Sequence, residues 1–184
     1  MSRIPVPADI DSAPPAAQPL LANVQAKFAM VPNVFRLTAN SPAALQGLLG
    51  LFGALGEGKI DAATGERIAL AVANVNGCNY CNAAHSYFAT SLALSDAEIE
   101  TNRQGRSLDQ KANAAVSFAR KLAASRAHVT EADIEAVRAA GYSDGELVEI
   151  VAHVALNVFT NYLNEAFATE IDFPEVRRAD RIAA

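Results

Sequence analysis

The chain has 184 residues, which is long enough to bury one hydrophobic core without a disulfide or metal staple. Hydrophobic residues make up 51% of the sequence and charged residues 19%, a balance that excludes a disordered chain. The net charge is −5 and the Lys and Arg residues are scattered, so the sequence shows no basic surface for nucleic acid or for an anionic membrane.

The first twenty residues, MSRIPVPADIDSAPPAAQPL, carry prolines at positions 5, 7, 14, 15 and 19 and acids at positions 9 and 11. A signal peptide needs a continuous apolar segment, which this stretch lacks, so the pattern predicts an extended arm. No uninterrupted apolar run in the chain reaches about 18 residues, and the sequence therefore predicts no transmembrane helix. We expect a cytoplasmic protein that binds neither membrane nor nucleic acid.

Helix signals follow the arm in chain order. SPAALQGLLGLFGALGEG begins with Ser41 as an N-cap and ends in glycines, which predicts one helix. DAATGERIALAVANVNG predicts a second helix, from Asp61 as its N-cap to Gly77 as its stop. From Cys78 to about Leu92 the pattern is helical again, and Gly77 permits a sharp reversal between the two segments. The cysteines therefore open a helix.

Three later segments begin with N-terminal capping signals, which are Ser95 with Glu98, Thr130 with Asp133, and Ser143 with Glu146. These signals predict helices over about 95–103, 130–139 and 143–169. The stretch SLDQKANAAVSFARKLAAS is amphipathic and predicts a further helix between the first and the second of them. No segment alternates as a strand would, so we expect an all-α, single-domain bundle of six to eight helices.

The stretch NGCNYCNAAH, residues 76–85, holds both cysteines of the chain. On a helix that advances about 100° per residue, Cys78, Cys81 and His85 share one face. The first turn of a helix stabilises a thiolate, and a histidine one turn later accepts the thiol proton. Such an imidazole needs a partner, and Glu66 is the nearest acidic candidate in the preceding helix. The pattern indicates a reactive thiol pair.

Other interpretations of these residues stay open. The cysteines are small enough to be ordinary apolar helix residues. A zinc site would need four ligands, and only His85, with Glu66 or His153, is available to complete one. Glu66 by itself is explained by the favourable dipole near a helix N-terminus. Redox use is favoured because a C-x-x-C pair in a reducing compartment is more often catalytic or metal-binding than structural.

A polar stripe lies late in the chain. His153, Asn157 and Asn161 recur every four residues along EIVAHVALNVFTNYLNEAF, which is otherwise apolar. Buried polar groups without partners cost free energy. We therefore expect the stripe to form hydrogen bonds within the core or across a subunit contact, or else to line the thiol pocket.

Three stretches, VPNVFRLTANSPAAL, GERIALAVANVNGCNYCNAAH and HVALNVFTNYLNEAF, resemble the carboxymuconolactone decarboxylase superfamily and, within it, the alkyl hydroperoxidase D-like, peroxidase-related branch. In that branch a glutamate is followed by eleven residues, C-x-x-C, three residues and a histidine. The positions that match this pattern are Glu66, Cys78, Cys81 and His85. The resemblance implies an all-helical fold, a homo-oligomer, and reduction of hydroperoxides with an external dithiol or disulfide reductase as electron donor.

The resemblance also implies a role for each site residue. Cys81 is the cysteine that is oxidised to sulfenic acid, Cys78 is the resolving thiol, and His85 with Glu66 relays protons. This chemistry requires no metal and no organic cofactor. Tyr80 stands between the cysteines where some members carry a histidine, so the role of that extra imidazole is absent here.

On this basis we expect an extended arm and first helix in residues 1–27, the alkyl hydroperoxidase D-like helical domain in 28–170, and a C-terminal tail in 171–184. Two alternatives to a thiol peroxidase remain. The first is a carboxymuconolactone decarboxylase-like enzyme, although the decarboxylases of the superfamily lack the cysteine pair. The second is a zinc-holding or redox-sensing interaction module.

Overall fold

A computed structural model describes residues 2–176, and within this range it contains nine α-helices and no β-strand. The helices are α1 (Gln18–Phe28), α2 (Asn33–Thr38), α3 (Pro42–Gly56), α4 (Ala62–Asn76), α5 (Asn79–Ser91), α6 (Asp96–Arg103), α7 (Gln110–Ala124), α8 (Glu131–Ala139) and α9 (Asp144–Phe167). The expectation of a single all-helical domain is confirmed. No helix within 2–176 is both long enough and apolar enough to cross a membrane.

The expected number of six to eight helices was too low, because the described residues form nine. The additional helix is α2, which has six residues and no side-chain N-cap, so it shows neither periodicity nor a start signal. Helix α1 begins at Gln18, within residues 1–27, where an extended arm and a first helix were expected. The domain limits stay a prediction, and the expected tail lies outside the described residues from position 177 onward.

Polar N-caps start most of the helices that the sequence predicted. Ser41, Asp61, Ser95 and Ser143 each accept a hydrogen bond from the backbone N–H three residues later. Ser143 also donates its own N–H to the carboxylate of Glu146, which completes the capping box of α9. Each such cap contributes about 1 kcal/mol, and the signal is local in sequence. This locality is why the starts were predicted correctly.

Helix α4 is the centre of the fold. It packs against α5, α6, α7 and α9, and every residue from 68 to 74 is buried. Ile68, Leu70 and Val72 are fully enclosed. A helix packed on several sides has little freedom to shift, so α4 provides a rigid support for any side chain that it carries.

The N-terminal arm lies across α2 and the end of α9. Arg3 donates hydrogen bonds to the carbonyl oxygens of Glu165 and Ala166 at 3.0 and 2.7 Å, and these are among the last carbonyls of α9. Arg36 of α2 donates to the carbonyl of Ala8 at 2.7 Å. The arm thereby provides donors for carbonyl groups that a helix end leaves without an internal partner.

Candidate thiol site

The reversal between α4 and α5 brings the candidate residues together. Gly77 lies in the left-handed region, with φ 70° and ψ 22°, and closes α4 by donating its N–H to the Asn74 carbonyl. A glycine adopts this conformation without the cost that a Cβ would add. Helix α5 then runs back along α4, which allows Glu66 and His85 to meet although nineteen residues separate them.

Cys78 is the N-cap of α5. Its sulfur accepts a hydrogen bond from the backbone N–H of Cys81 at 3.1 Å, in the way a serine or aspartate oxygen does at other helix starts. The two sulfurs are joined in a disulfide, with Cα atoms 5.3 Å apart. The prediction that the cysteines open a helix is confirmed, and both sulfurs lie at the positive end of the helix dipole.

A cavity of about 510 Å³ borders one of the two cysteines. Cys81, His85 and Glu66 line this cavity, whereas Cys78 does not. Cys78 is 0% exposed and Cys81 is 1% exposed, so neither sulfur is open at the outer surface. A small molecule in the cavity therefore meets Cys81 first, with Cys78 behind it.

Glu66 and His85 are in direct contact. The Glu66 Oε2 atom lies 2.8 Å from His85 Nδ1, and each side chain is about one fifth exposed, at 21% and 22%. A carboxylate at Nδ1 fixes the tautomer and leaves Nε2 without the proton, ready to accept one. The sequence left the meeting of these two side chains dependent on the hairpin, and the hairpin provides it.

Tyr80 is a structural tie. Its hydroxyl donates to Asp172 Oδ1 at 2.8 Å and accepts from the backbone N–H of Val34 at 3.2 Å. Burial, together with the negative charge of Asp172, raises the pKa of Tyr80 above its ordinary value. The hydroxyl therefore stays protonated and joins α5 to α2 and to the segment after α9.

The polar stripe of α9 divides between cavity and core. His153 and Asn157 line the cavity, whereas Asn161 is fully buried and accepts a hydrogen bond from the Asn76 side chain at 2.8 Å. Burial lowers the pKa of His153, although the charges of Glu149 and Glu66 oppose the shift. The stripe therefore lines the thiol pocket and also forms a hydrogen bond within the core, which are two of the three locations that the sequence left open.

One site residue was missed from the sequence. Asn164 of α9 donates its side-chain amide to Cys81 Sγ at 3.3 Å, and it also lines the cavity. It follows Asn161 by three residues and thus continues the same polar face of the helix. That continuation was the available signal, but nothing local linked it to the cysteines.

The remaining cavity wall is largely aromatic and aliphatic. Its phenylalanines come from α1, α2, α3, α5 and the segment after α9, and they are Phe28, Phe35, Phe52, Phe88 and Phe173. Lys27 also borders the cavity, with its ammonium 4.6 Å from the centre of the Phe52 ring. Within residues 2–176, no three His, Cys, Asp or Glu side chains are grouped so as to hold a metal ion.

Comparisons with known proteins find similar sequences and similar helical folds. The model of the carboxymuconolactone decarboxylase family matches residues 42–124, which include α3, the α4–α5 hairpin and α7. Solved structures match over nearly the whole chain. An alkylhydroperoxidase AhpD core, an uncharacterised peroxidase-related protein from Ralstonia eutropha JMP134, is 26% identical with a TM-score of 0.83, covering 93% of this chain and 92% of the other.

A peroxidase-related protein from Silicibacter sp. TM1040 is 27% identical with a TM-score of 0.77, covering 90% of this chain and 91% of the other. The debrominase Bmp8, in a complex with 2,3,4-tribromopyrrole, is 22% identical with a TM-score of 0.79 and covers 94% of both chains, which shows a shared fold. No curated protein matches the chain. The family model over residues 42–124 and the two peroxidase-related structures together support a place for this chain in the carboxymuconolactone decarboxylase superfamily, near its alkylhydroperoxidase AhpD-like branch.

Proposed function

We propose that the protein is a thiol-dependent peroxidase that reduces hydroperoxides through the Cys78–Cys81 pair. The observation that carries the proposal is the cavity, because Cys81, His85 and Glu66 all line it while the partner thiol lies directly behind. This arrangement presents one thiol to a substrate and keeps the second in reach of its oxidation product. The two structural relatives described as peroxidase-related support the same activity.

The reaction begins with the reduced pair. His85 accepts the proton of the Cys81 thiol, and the thiolate attacks the terminal oxygen of the hydroperoxide. The O–O bond breaks, Cys81 becomes a sulfenic acid, and the departing alkoxide takes the proton back from His85, so the first product is an alcohol. Glu66 supports the positive charge that His85 carries between these two transfers.

The second half of the cycle closes the disulfide. The Cys78 thiol attacks the sulfenic sulfur of Cys81, a disulfide forms, and hydroxide leaves as water with the thiol proton. An external dithiol then reduces the disulfide and is itself oxidised to a disulfide. The aromatic and aliphatic wall of the cavity suits the organic part of an alkyl or aryl hydroperoxide better than hydrogen peroxide.

A panel of hydroperoxides assayed with several dithiols tests the proposal. We expect faster consumption of cumene hydroperoxide than of hydrogen peroxide, and complete loss in Cys81→Ser. In Cys78→Ser we expect one turnover per chain and a sulfenic acid that dimedone traps. A lactone decarboxylase activity that survives in Cys81→Ser would support decarboxylase-like chemistry instead. About one zinc per chain in protein purified without chelator would support a metal-holding module.

A second candidate is reductive dehalogenation, favoured by the aromatic wall of the cavity beside Cys81. The debrominase that shares this fold binds a small brominated ring. The balanced reaction converts an aryl bromide and two thiols to the arene, hydrogen bromide and one disulfide. Release of bromide from brominated pyrroles or phenols by the reduced protein, lost in Cys81→Ser, would favour this activity over hydroperoxide reduction.

A further inference from the structure

We propose that Asn164 is a catalytic residue that stabilises the Cys81 thiolate, by donating its side-chain amide hydrogen to the sulfur. This inference deepens the proposed thiol chemistry and rests on it for its biological purpose. Its physical content is a property of the reduced protein alone, namely the acidity of one thiol, which is measurable without any substrate.

The geometry is a direct contact between two buried side chains. With the Cys78–Cys81 disulfide formed, Asn164 Nδ2 lies 3.3 Å from Cys81 Sγ, a hydrogen-bond distance for the larger sulfur atom. Asn164 is 3% exposed and Cys81 is 1% exposed, so water does not compete for the contact from the outer surface. The bond joins α9 to α5 across eighty-three residues of sequence.

The other end of the same amide indicates a functional placement. The Asn164 Oδ1 atom is buried and has no hydrogen-bond partner among the described residues. A buried acceptor without a partner lowers the stability of the fold, so an apolar side chain would suit this position better if packing were its only role. The observed orientation also directs a donor at the sulfur, whereas the reverse orientation would place an oxygen against a thiolate.

The surroundings of Cys81 make such a donor necessary. Burial raises the pKa of a thiol, because the charged form loses its hydration. The N–H of Cys81 at the first turn of α5 is already directed at Cys78 Sγ, whereas the Asn164 amide donates to the Cys81 sulfur. Titratable groups that line the cavity come from α1, α4, α5 and α9, with Asp61 preceding α4, and they are Lys27, Asp61, Glu66, Tyr80, His85 and His153.

Among these groups, Glu66 is paired with His85, and the ammonium of Lys27 lies over the Phe52 ring. The Tyr80 hydroxyl is engaged by Asp172 and Val34 and stays protonated. The neutral amide of Asn164 adds no charge to this apolar cavity. Its hydrogen bond to the sulfur becomes stronger when the sulfur is an anion. Asn164 therefore favours the thiolate over both the thiol and the disulfide.

The same preference has a redox consequence. A donor that stabilises the thiolate stabilises the reduced protein relative to the disulfide, so it makes the disulfide easier for an external dithiol to reduce. Loss of the donor is expected to shift the dithiol–disulfide equilibrium about tenfold toward the disulfide, which equals about 30 mV for this two-electron couple. The amide would then act in both halves of the proposed cycle.

Titration of Cys81 in a Cys78→Ser background tests the inference. We expect Asn164→Leu to raise the pKa of Cys81 by about one unit, the usual worth of a hydrogen bond to a charged group, measured by thiolate absorbance and by the pH profile of iodoacetamide alkylation. Asn164→Ala is the second variant, because its truncation only enlarges an existing cavity and so preserves the fold. It should give the same shift.

Asn161→Leu is the matched control, since Asn161 is also a buried asparagine of α9 but bonds to Asn76 rather than to sulfur. Its melting temperature should fall while the pKa of Cys81 stays unchanged. A pKa of Cys81 that moves by less than about 0.3 units in both Asn164 variants would overturn the inference. A shifted pKa in a protein that consumes no hydroperoxide would leave the inference standing and contradict the peroxidase instead.

Discussion

Tyr80 stands between the two cysteines, where some members of the superfamily carry a histidine. Its hydroxyl joins the backbone of Val34 to the carboxylate of Asp172 and is held protonated by burial. Both hydrogen-bonding functions of the hydroxyl are therefore engaged by structural partners. Tyr80 is therefore a hydrogen-bonded tie in the wall of the cavity.

We expect Tyr80→Phe to lower the free energy of unfolding by about 1–3 kcal/mol, because two buried hydrogen bonds are lost and their partners are left unsatisfied. The rate of hydroperoxide reduction per folded molecule should change less than about threefold. Urea unfolding and steady-state assays measure the two quantities. Tyr87→Phe is the control, since Tyr87 is 45% exposed and should show neither effect. A large loss of rate at unchanged stability would assign Tyr80 a chemical role.

Unlike Tyr80, Glu66 is expected to take part in proton transfer, because its partner is the imidazole of His85. We expect Glu66→Gln to reduce the peroxidase rate by roughly 10² or more, the usual worth of a positioned acid or base, with a nearly unchanged melting temperature. Cys81 should also alkylate more slowly near neutral pH. Stopped-flow assays and thermal unfolding provide the measurements.

The matched control for that prediction is Glu165→Gln, since Glu165 is an exposed glutamate of α9 far along the chain from the hairpin. Wild-type turnover in folded Glu66→Gln would remove Glu66 from the site and leave the thiols and His85 to act without it. A loss of stability of about 0.3–1 kcal/mol without loss of rate would indicate a helix-dipole role only.

The sequence predicted best those contacts of the candidate site that join residues close together along the chain. Cys78, Cys81 and His85 share one helix face, so their arrangement follows from spacing alone. Contact between Glu66 and His85 depends on the α4–α5 hairpin. The family pattern indicated that Glu66 belongs to the site, whereas spacing along the chain did not. Asn164 approaches Cys81 from another helix, and no spacing rule relates positions so far apart.

The same rule holds for whole elements. Helices α3 to α9 were predicted because N-caps and hydrophobic periodicity depend on residues that are close together in the sequence. Helix α2 was missed because its position depends on tertiary contacts, in which Val34, Phe35 and Leu37 enter the core. Short helices of this kind are stabilised mainly by tertiary packing, so their own sequences do not predict them.

A cluster around Glu98 ties α6 to α4 and to the loop before α7. The Glu98 carboxylate accepts hydrogen bonds from Arg67 Nε at 2.7 Å, Asn102 Nδ2 at 2.9 Å, Ser107 Oγ at 2.5 Å and the Leu108 N–H at 2.7 Å. Burial alone would raise the pKa of Glu98, but these hydrogen bonds outweigh it and lower the pKa to about 2. The cluster fixes one side of α4 and thereby the helix that carries Glu66.

We expect Glu98→Gln to lower the free energy of unfolding by about 2–4 kcal/mol at pH 7, because Arg67 loses its buried partner. The folded pKa lies below the unfolded value of 4.5, so the stabilisation is present above pH 4.5 and is lost as pH falls towards about 2. Urea unfolding across this window should show a weaker pH dependence in the variant. Glu100→Gln, an exposed neighbour in α6, should change the stability by less than about 0.5 kcal/mol, and an equal pH dependence in wild type and Glu98→Gln would contradict the assignment.

At the scale of the whole molecule, α9 has two faces with different uses. Its inner face carries His153, Asn157 and Asn164 to the cavity. Its outer face carries an exposed apolar stripe at heptad-like spacing, which consists of Val148, Val151, Ala155, Phe159 and Tyr162. A helix that is apolar on its solvent side is typical of a surface that contacts another protein chain.

We predict that this outer stripe of α9 takes part in self-association, so the protein should have a mass above its 19.3 kDa chain in light scattering at micromolar concentration. Val148→Glu combined with Tyr162→Glu should shift the mass toward the monomer, because charges placed on both halves of the stripe lose their hydration on association. Leu108→Glu is the control: Leu108 is 68% exposed, as open as Val148 at 69%, but it precedes α7 and lies outside the stripe. It should leave the mass unchanged. A monomeric wild type would refute self-association. An intact oligomer in the double variant would show that the subunit interface does not include the outer stripe of α9.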